Sequence, residues 1–326
     1  MSKVSINLVT WNGAKYIDNC LRSVFAQSYK DFSILIIDNG SSDETVAIIK
    51  EQYPQLKVIQ HKENLGFAKA HNQAIHWSKS DYVMLLNQDV VLHEDYLKYL
   101  VEFLDKTPMA GSCSGKILRL QDDEKTNYVD TVGLRIYKNY RVVDKGAGEM
   151  DEGQYDAVTE VFGVSGALPV YRRKALDEVV YQQEYLDESF FSYKEDVDLA
   201  HRLLSAGWQA WYIPLAIAYH DRTVSSPYEK MSAVKVAQNR RRKSKFAKFY
   251  SYRNHLYFLK KNLPHLTWSV FFYEFVKSLY VLILEPRNFL RAWKDLCRVR
   301  KELLAKRVLI QKRRKISEEK LSTWLS

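Results

Sequence analysis

Cysteine is scarce in this chain: 326 residues contain three, Cys20, Cys113 and Cys297, far apart in sequence. No CxxC pair or zinc-ligand spacing occurs, and an odd, sparse set argues for a reducing compartment. The N-terminal MSKVSINLVTWN has neither a basic n-region nor a long apolar stretch. It reads as a strand, so no signal peptide is expected. A bilayer-spanning run is also missing. The best candidate, residues 268–284, is rich in Phe, Tyr, Val and Leu but carries Glu274 and Lys277. A spanning helix needs about 20 largely uncharged residues, so an interfacial helix is the better expectation. Internal repeats and low-complexity tracts are absent. What is present is an apolar fraction of 46% with 13% aromatics, ample for a sizeable core and incompatible with a disordered or fibrous chain. The length fits one large domain or two ordinary ones.

The formal net charge of +10 conceals a partition. Residues 1–230 hold 25 Lys and Arg against 33 Asp and Glu, a balance of −8, whereas residues 231–326 hold 24 against 6, an excess of +18. An acidic body joined to a basic segment excludes a uniformly basic surface. Such a segment seeks phosphate, in nucleic acid or in anionic lipid headgroups.

The first 90 or so residues alternate short apolar runs with helical periods, as βαβ units on a parallel sheet do. Strands are expected at 4–10, 33–37, 57–60 and 82–86, with helices at 16–27, 44–53 and 68–79. Ser41 followed by Glu44 reads as a capping box. After Asp89 a helix is expected at 94–105 and a strand at 111–120. Residues 121–157 are polar, with Gly133, Gly146, Gly148 and Gly153, and suggest an excursion or flexible loop beside the sheet. Strand character returns at 158–171, a helix spans 195–206, and one or two strands lie within 208–220. A polar linker at 221–227 leads to helical blocks at 236–263, 267–284 and 287–315, punctuated by Pro264 and Pro286. The domains expected are 1–225, catalytic, and 226–326, a helical basic and aromatic region for membrane association or oligomerisation.

Four places could carry chemistry. Asp38 closes the second strand in LIIDNGSSDET, where a carboxylate can accept from a nucleotide base or ribose, or simply start an Asx-turn. Asn87-Gln88-Asp89 ends the fourth strand, placed either to hold a divalent cation on a diphosphate or to make a plain turn. Glu195-Asp196-x-Asp198 opens a helix, where the macrodipole favours acids for structural reasons and a general base could equally face a cleft. His220 could be a metal ligand, a base or a surface histidine. The runs 240–243 and 312–315 are basic clusters, the first with Phe246, Phe249, Tyr250 and Tyr252 nearby to stack on bases or sit at a lipid interface.

In this order and spacing, VSINLVTWNGAKYIDNCLRSVFAQSYKDFSILIIDNGSSDET, NLGFAKAHNQAI, LLNQDV, FGVSGALPVYRR and YLDESFFSYKEDVDLAHRLLSAGW resemble glycosyltransferase family 2 over roughly residues 3–225. Within it the chain looks most like bacterial rhamnosyltransferases of cell-surface polysaccharide assembly, and Tyr250-x-x-Arg253-Asn254 is similar to a segment that follows the catalytic domain there. The resemblance implies an α/β GT-A fold, a mostly parallel sheet flanked by helices, and inversion at the anomeric carbon. It implies that Thr10, Trp11 and Asn12 edge the nucleotide pocket and that Asp38 bonds the pyrimidine. Asn64 and Gly66 would shape the wall against the nucleotide sugar. Asp89 would hold Mg²⁺ or Mn²⁺ on the donor diphosphate, with His220 completing the metal site. Asp196 would be the base, with Glu195 beside it near the acceptor. Asn87 departs from the family's Asp-x-Asp, and a neutral amide coordinates more weakly than a carboxylate, which makes His220 more important.

The function expected is transfer of L-rhamnose from dTDP-L-rhamnose to a lipid-linked saccharide, peripherally on the inner face of the cell membrane. The partners are the nucleotide-sugar donor, the acceptor, an anionic membrane surface and a possible second copy of the chain; nucleic acid is not among them. A UDP-hexose or UDP-galactofuranose transferase of the same fold is the nearest alternative. A sugar-1-phosphate nucleotidyltransferase would need a Gly-rich loop with an Arg, and residues 10–16, TWNGAKY, offer one Gly and no Arg. A nucleic-acid-binding protein driven by the basic segment is the non-enzymatic alternative.

Overall fold

The computed structural model describes residues 2–121, 124–221, 244–263, 265 and 267–326. The expected alternation is present: β1 (Val4–Thr10), α1 (Ile17–Phe25), β2 (Phe32–Asp38), α2 (Thr45–Gln52), β3 (Val58–Gln60), α3 (Phe67–Trp77) and β4 (Tyr82–Asn87). β1 pairs in parallel with both β2 and β4, and β2 with β3. β1 is buried along nearly its whole length, as a central strand covered on both faces must be. The chain leaves β1 towards β2 and β3, then returns to β4 on the other side. That reversal between β1 and β4 is a topological switch point.

The second half makes the sheet mixed. It comprises β5 (Val90–Leu92), α4 (Tyr96–Lys106), β6 (Ala110–Gln121), β7 (Glu124–Thr131), β8 (Leu134–Ile136), β9 (Val142–Asp144), β10 (Thr159–Val161), β11 (Val170–Arg172), α5 (Arg173–Val179), a 3-10 turn (Glu188–Phe190), α6 (Glu195–Ser205) and β12 (Gln209–His220). The order across the sheet is β10-β12-β6-β11-β4-β1-β2-β3, with β5 on β12 and β7 on β6. β11 runs antiparallel between β4 and β6. Pro214 sits where the β6–β12 register shifts, between Ile213 and Ile217, so one strand crosses a residue that cannot donate.

Three local expectations are corrected. Ser41 and Glu44 form no capping box: the Ser41 hydroxyl accepts from Asn12 N at 2.8 Å, and Asp43 accepts from Thr45 N at 3.1 Å at the start of α2. The described part of 121–157 is not a loose loop, because β7 joins the main sheet, β8 and β9 pair with each other, and buried Lys116 ties Asp151 and Asp156 at 2.7 and 2.6 Å. Strand character at 158–171 is confined to β10 and β11 at its two ends.

Helices α7 (Lys245–Asn262), α8 (Trp268–Leu284), α9 (Pro286–Arg313) and α10 (Glu318–Ser322) follow. The expected linker and the 240–243 cluster lie outside the described residues. Pro286 begins α9 at the first turn, where its missing N–H costs nothing. Tyr257, Phe258 and Leu303 share a core with Phe190, Val197 and Leu204. A buried ion cluster reinforces this seam. Lys261 donates to Asp187 at 2.6 Å and Asp198 at 2.8 Å; Lys306 donates to Asp187 at 2.7 Å and Glu184 at 2.9 Å. Burial alone would raise the Asp187 pKa, but the two ammoniums outweigh it and hold the carboxyl well below its usual range.

Removing one member of such a cluster strands buried charge. Asp187→Ala is expected to cost about 3–5 kcal/mol. Urea unfolding monitored by tryptophan fluorescence measures it, and a loss typical of a surface site would contradict the burial described.

Candidate active site

The carboxyl ends of β2, β1 and β4 lie side by side, since Thr10 pairs with Asp38 and Val9 with Asn87. Asp38 is buried. One of its carboxylate oxygens accepts from Ser41 N, three residues on, at 3.2 Å, while Oδ1 is enclosed with no partner among the described residues. A buried acceptor left open is costly unless a ligand donates to it. Thr10 turns its hydroxyl to Gln88 Oε1, which also accepts from Trp11 N at 2.9 Å; Gln88 Nε2 donates to Trp11 O at 3.1 Å. Gln88, the middle residue of Asn-Gln-Asp, thus pins the end of β1 to the end of β4. Trp11 is left 51% exposed over the rim. Asn12, at φ +48°, uses its side chain within the loop, accepting from Ser42 N at 2.8 Å.

Asn64 Oδ1 accepts from Gly66 N at 2.8 Å and from Asn39 Nδ2 at 3.0 Å. Gly66 has φ +88°, and a Cβ there would stand 2.6 Å from the Phe191 carbonyl oxygen. Only glycine satisfies both the left-handed backbone and the close approach. The same carbonyl accepts from Ala68 N at 3.3 Å, which fastens the start of α3 to the segment before α6.

Asp89 sits in the turn between β4 and β5. His220 ends β12 opposite Val90, and Asp221 N donates to Asp89 O at 2.9 Å. The imidazole lies between two carboxylates, with Nε2 3.4 Å from Asp89 Oδ1 and Nδ1 2.9 Å from Asp130 Oδ2. Burial lowers the His220 pKa, but Asp89 and Asp130 overcome it and push it up to about 10. Asp130, on β7 inside the polar stretch, has no local sequence signal. Its arrangement is that of a carboxylate fixing the ring of a metal-binding histidine. His220 Nε2 and Asp89 are paired with each other; with the imidazole deprotonated, one carboxylate and one imidazole would suit a divalent ion whose remaining ligands come from a diphosphate. Among the described residues one trio of carboxylates, Glu184, Asp187 and Glu302, is also close enough to share an ion. Lys306 already donates to all three, so that trio is an ion-pair cluster.

Asp196 reaches the same rim through Gly166 and Ala167. Asn87 N donates to Ala167 O at 3.1 Å, and Gly166 N donates to Asp196 Oδ2 at 2.9 Å. Val197 N donates to Asp196 Oδ1 at 2.7 Å. Glu195 is buried, and its Oε2 has no partner among the described residues. Burial, then the Asp196 charge beside it, pushes the Glu195 pKa up to about 8. Burial also raises that of Asp196, but its two backbone N–H bonds favour the charged form. Burial thus disfavours charge on both carboxyls, and the two backbone N–H bonds offset this at Asp196.

A family model for glycosyl transferase family 2 matches residues 5–180. The chain is 26% identical over 238 residues to an N-acetylglucosaminyl-diphospho-decaprenol L-rhamnosyltransferase of Mycobacterium tuberculosis, covering 67% of this chain and 76% of that protein. It is 26% identical over 218 residues to a poly-beta-1,6-N-acetyl-D-glucosamine synthase of Staphylococcus aureus, covering 66% of this chain and 49% of the synthase. Among solved structures it is similar in fold to GalNAc-T7 with UDP, GalNAc and Mn²⁺, at TM-score 0.60 and 13% identity, over 80% of this chain and 49% of that one. S. aureus TarS gives TM-score 0.52 at 17% identity, over 95% and 52%. The chain spans about half the length of the synthase and of both solved structures. The fold is GT-A, as expected.

Gly66→Ala is expected to destabilise the chain by more than about 1 kcal/mol, because alanine meets both a left-handed backbone and a carbonyl oxygen. Urea unfolding reads the loss. Unchanged stability would contradict the close approach of Phe191.

Proposed function

The chain belongs to glycosyl transferase family 2, and from that membership we propose that it transfers L-rhamnose from dTDP-L-rhamnose, with inversion, to a lipid-linked saccharide in cell-surface polysaccharide assembly. The observation that carries this reading is the gathering, on one rim of the sheet, of an open buried carboxylate oxygen on Asp38, the Asp89–His220 pair and the Glu195–Asp196 pair. The mycobacterial relative, whose name contains both the sugar and a polyprenol carrier, supports the choice of donor and acceptor.

Asp38 Oδ1 accepts from the pyrimidine N–H, and Trp11 offers an aromatic face beside it. Asn64 and Gly66 form the wall along the sugar. Asp89 and His220 would hold Mg²⁺ or Mn²⁺, with Asp130 fixing the imidazole and the Asn87 amide a weaker neighbour. Such a cation neutralises charge on a diphosphate. Asp196 takes the proton of the acceptor hydroxyl as its oxygen bonds to C1 and the C1–O bond to the diphosphate breaks. Glu195, its pKa raised by burial and by the Asp196 charge, lies beside it. No covalent bond to the enzyme is needed.

A panel of dTDP- and UDP-sugars, scored for nucleotide diphosphate release with Mg²⁺, Mn²⁺ or chelator, tests the reading. Release from dTDP-rhamnose that stops in chelator is expected. Asp196→Asn should lower turnover by about 10²–10⁴ while donor binding survives. Near wild-type turnover in that variant would return Glu195 or His220 as the base.

The same reading places the enzyme peripherally on the inner face of the cell membrane. No described helix is long and apolar enough to cross a bilayer. α8 nevertheless exposes Trp268 (85%), Phe272 (67%) and Ile283 (67%), burying only Val270 and Val281. The adjoining turns of α9 expose Leu290 and Trp293 among Arg287, Arg291, Lys294 and Arg298. Apolar insertion flanked by cations fits an anionic leaflet, each cation adding about 1 kcal/mol. The chain should float with anionic vesicles at low salt, and Phe272→Ser with Ile283→Ser should abolish flotation. Wild-type chain that stays behind, or a change in sedimentation alone, would assign the face to a second copy of the chain.

A further inference from the structure

Phe191, Tyr193 and Lys194 lie in the left-handed region, at φ +65°, +71° and +70°. Large side chains seldom adopt it, and three in four residues persist only where the surroundings hold them. This loop runs directly into Glu195 and Asp196. On one side it is fastened to the donor wall, through Phe191 O, Ala68 N and Gly66. On the other it meets two consecutive side chains of α7. Asn254 Nδ2 donates to Phe190 O at 2.9 Å, Ser192 O at 2.7 Å and Tyr193 O at 2.7 Å. Arg253 Nη2 donates to Ser189 O at 2.9 Å and Phe190 O at 3.0 Å, and its Nε donates to Asn254 Oδ1 at 2.9 Å, which fixes the amide's orientation. Asn254 is fully buried. The Arg253 guanidinium lies over the rings of Tyr250 and Tyr257 at 4.6 and 4.9 Å, and Tyr250 stacks on Phe191 at 5.2 Å.

We propose that Arg253 and Asn254 are positioning residues for the transfer reaction: they hold the 189–194 loop in the conformation that presents Asp196 to the acceptor. The proposal rests on Asp196 as the base. The carbonyls of Ser189, Phe190, Ser192 and Tyr193 find donors on α7, while that of Phe191 takes Ala68 N, so the strained backbone is satisfied from outside the catalytic sheet. Loosening it displaces the carboxylate and admits water around the pair. The pyrimidine contacts, built on β1, β2 and β4, do not depend on it, whereas the sugar wall at Gly66 touches it through Phe191.

The test compares the full chain with Asn254→Asp, Asn254→Ala and Arg253→Lys. Asn254→Asp keeps the shape and removes the donors; Arg253→Lys keeps the charge and removes the fork. Turnover should fall about a hundredfold, the cost of an ångström-scale misplacement, with the Kd of dTDP alone unchanged. In Asn254→Ala and Arg253→Lys, which add no carboxylate, the acid limb of the turnover profile should move to lower pH as the pair becomes hydrated. The groups facing that pair are Asp144 on β9, Tyr171 on β11, Lys194 and Asp198, and all are unaltered in these variants. Amide hydrogen exchange, which needs no activity, should quicken over 189–198 and stay unchanged in β1 and β4. A folded Asn254→Asp with wild-type turnover overturns the proposal, and so does a loss of turnover without faster exchange in the loop. If the wild type itself transfers no sugar, the functional reading fails, and exchange still reports on the clamp.

Discussion

Two carboxylates bracket the segment that carries the Glu195–Asp196 pair, and ammoniums from the C-terminal helices hold both. Asp187 precedes the loop and Asp198 follows it on α6; Lys261 of α7 bonds to each, and Lys306 of α9 bonds to Asp187. Arg202 and Asn262 complete the shell around Asp198 at 2.8 and 2.9 Å. Ions this deep in a protein hold together only when nearly every lone pair and proton is matched. The cluster therefore tolerates one relative placement of α6, α7 and α9. That placement also brings Arg253 and Asn254 against the strained loop, so site geometry and the seating of the C-terminal helices are one constraint.

The sheet was legible because its signal is local. Apolar runs alternating with helical periods mark β1 to β4, and a parallel arrangement sends their carboxyl ends to a common rim, where Asp38 and Asp89 stand. Acidic residues opening α6 were equally visible. What escaped was set by contacts distant in sequence. Asp130 looked like one more polar residue in a polar stretch until β7 paired with β6 and brought it to His220. Gln88 looked like turn filler, yet its amide locks two strand ends together. Ser41 and Glu44 had capping-box spacing, but Asn12, 29 residues upstream of Ser41, claims the hydroxyl. A local motif fails where a tertiary partner offers a better bond.

The excess of +18 in residues 231–326 was read as one surface property, and the described helices divide it. Lys261, Lys306 and Arg253 are buried against carboxylates, carbonyls and rings, where their charge is consumed in fixing the fold. Arg287, Arg291, Lys294 and Arg298 remain exposed beside the apolar faces of α8 and α9. Of these two groups, the second is the one placed to act on an anionic surface. Composition counts both alike, and burial separates them.

This division changes what can be learned by cutting the chain. α7 touches both sides: Tyr252 and His255 bond to Ser278 and Glu274 of α8 at 2.9 and 2.7 Å, while Arg253 and Asn254 between them reach the 189–194 loop. Successive helical residues point about 100° apart, so four consecutive side chains suffice to meet both neighbours. Deleting the C-terminal helices would remove the apolar face, the loop clamp and the ammonium partners of Asp187 and Asp198 together. A resulting loss of activity could not be credited to lost membrane contact. Substitutions confined to the solvent side of α8 leave the clamp and the ion cluster in place, and so separate attachment from catalysis.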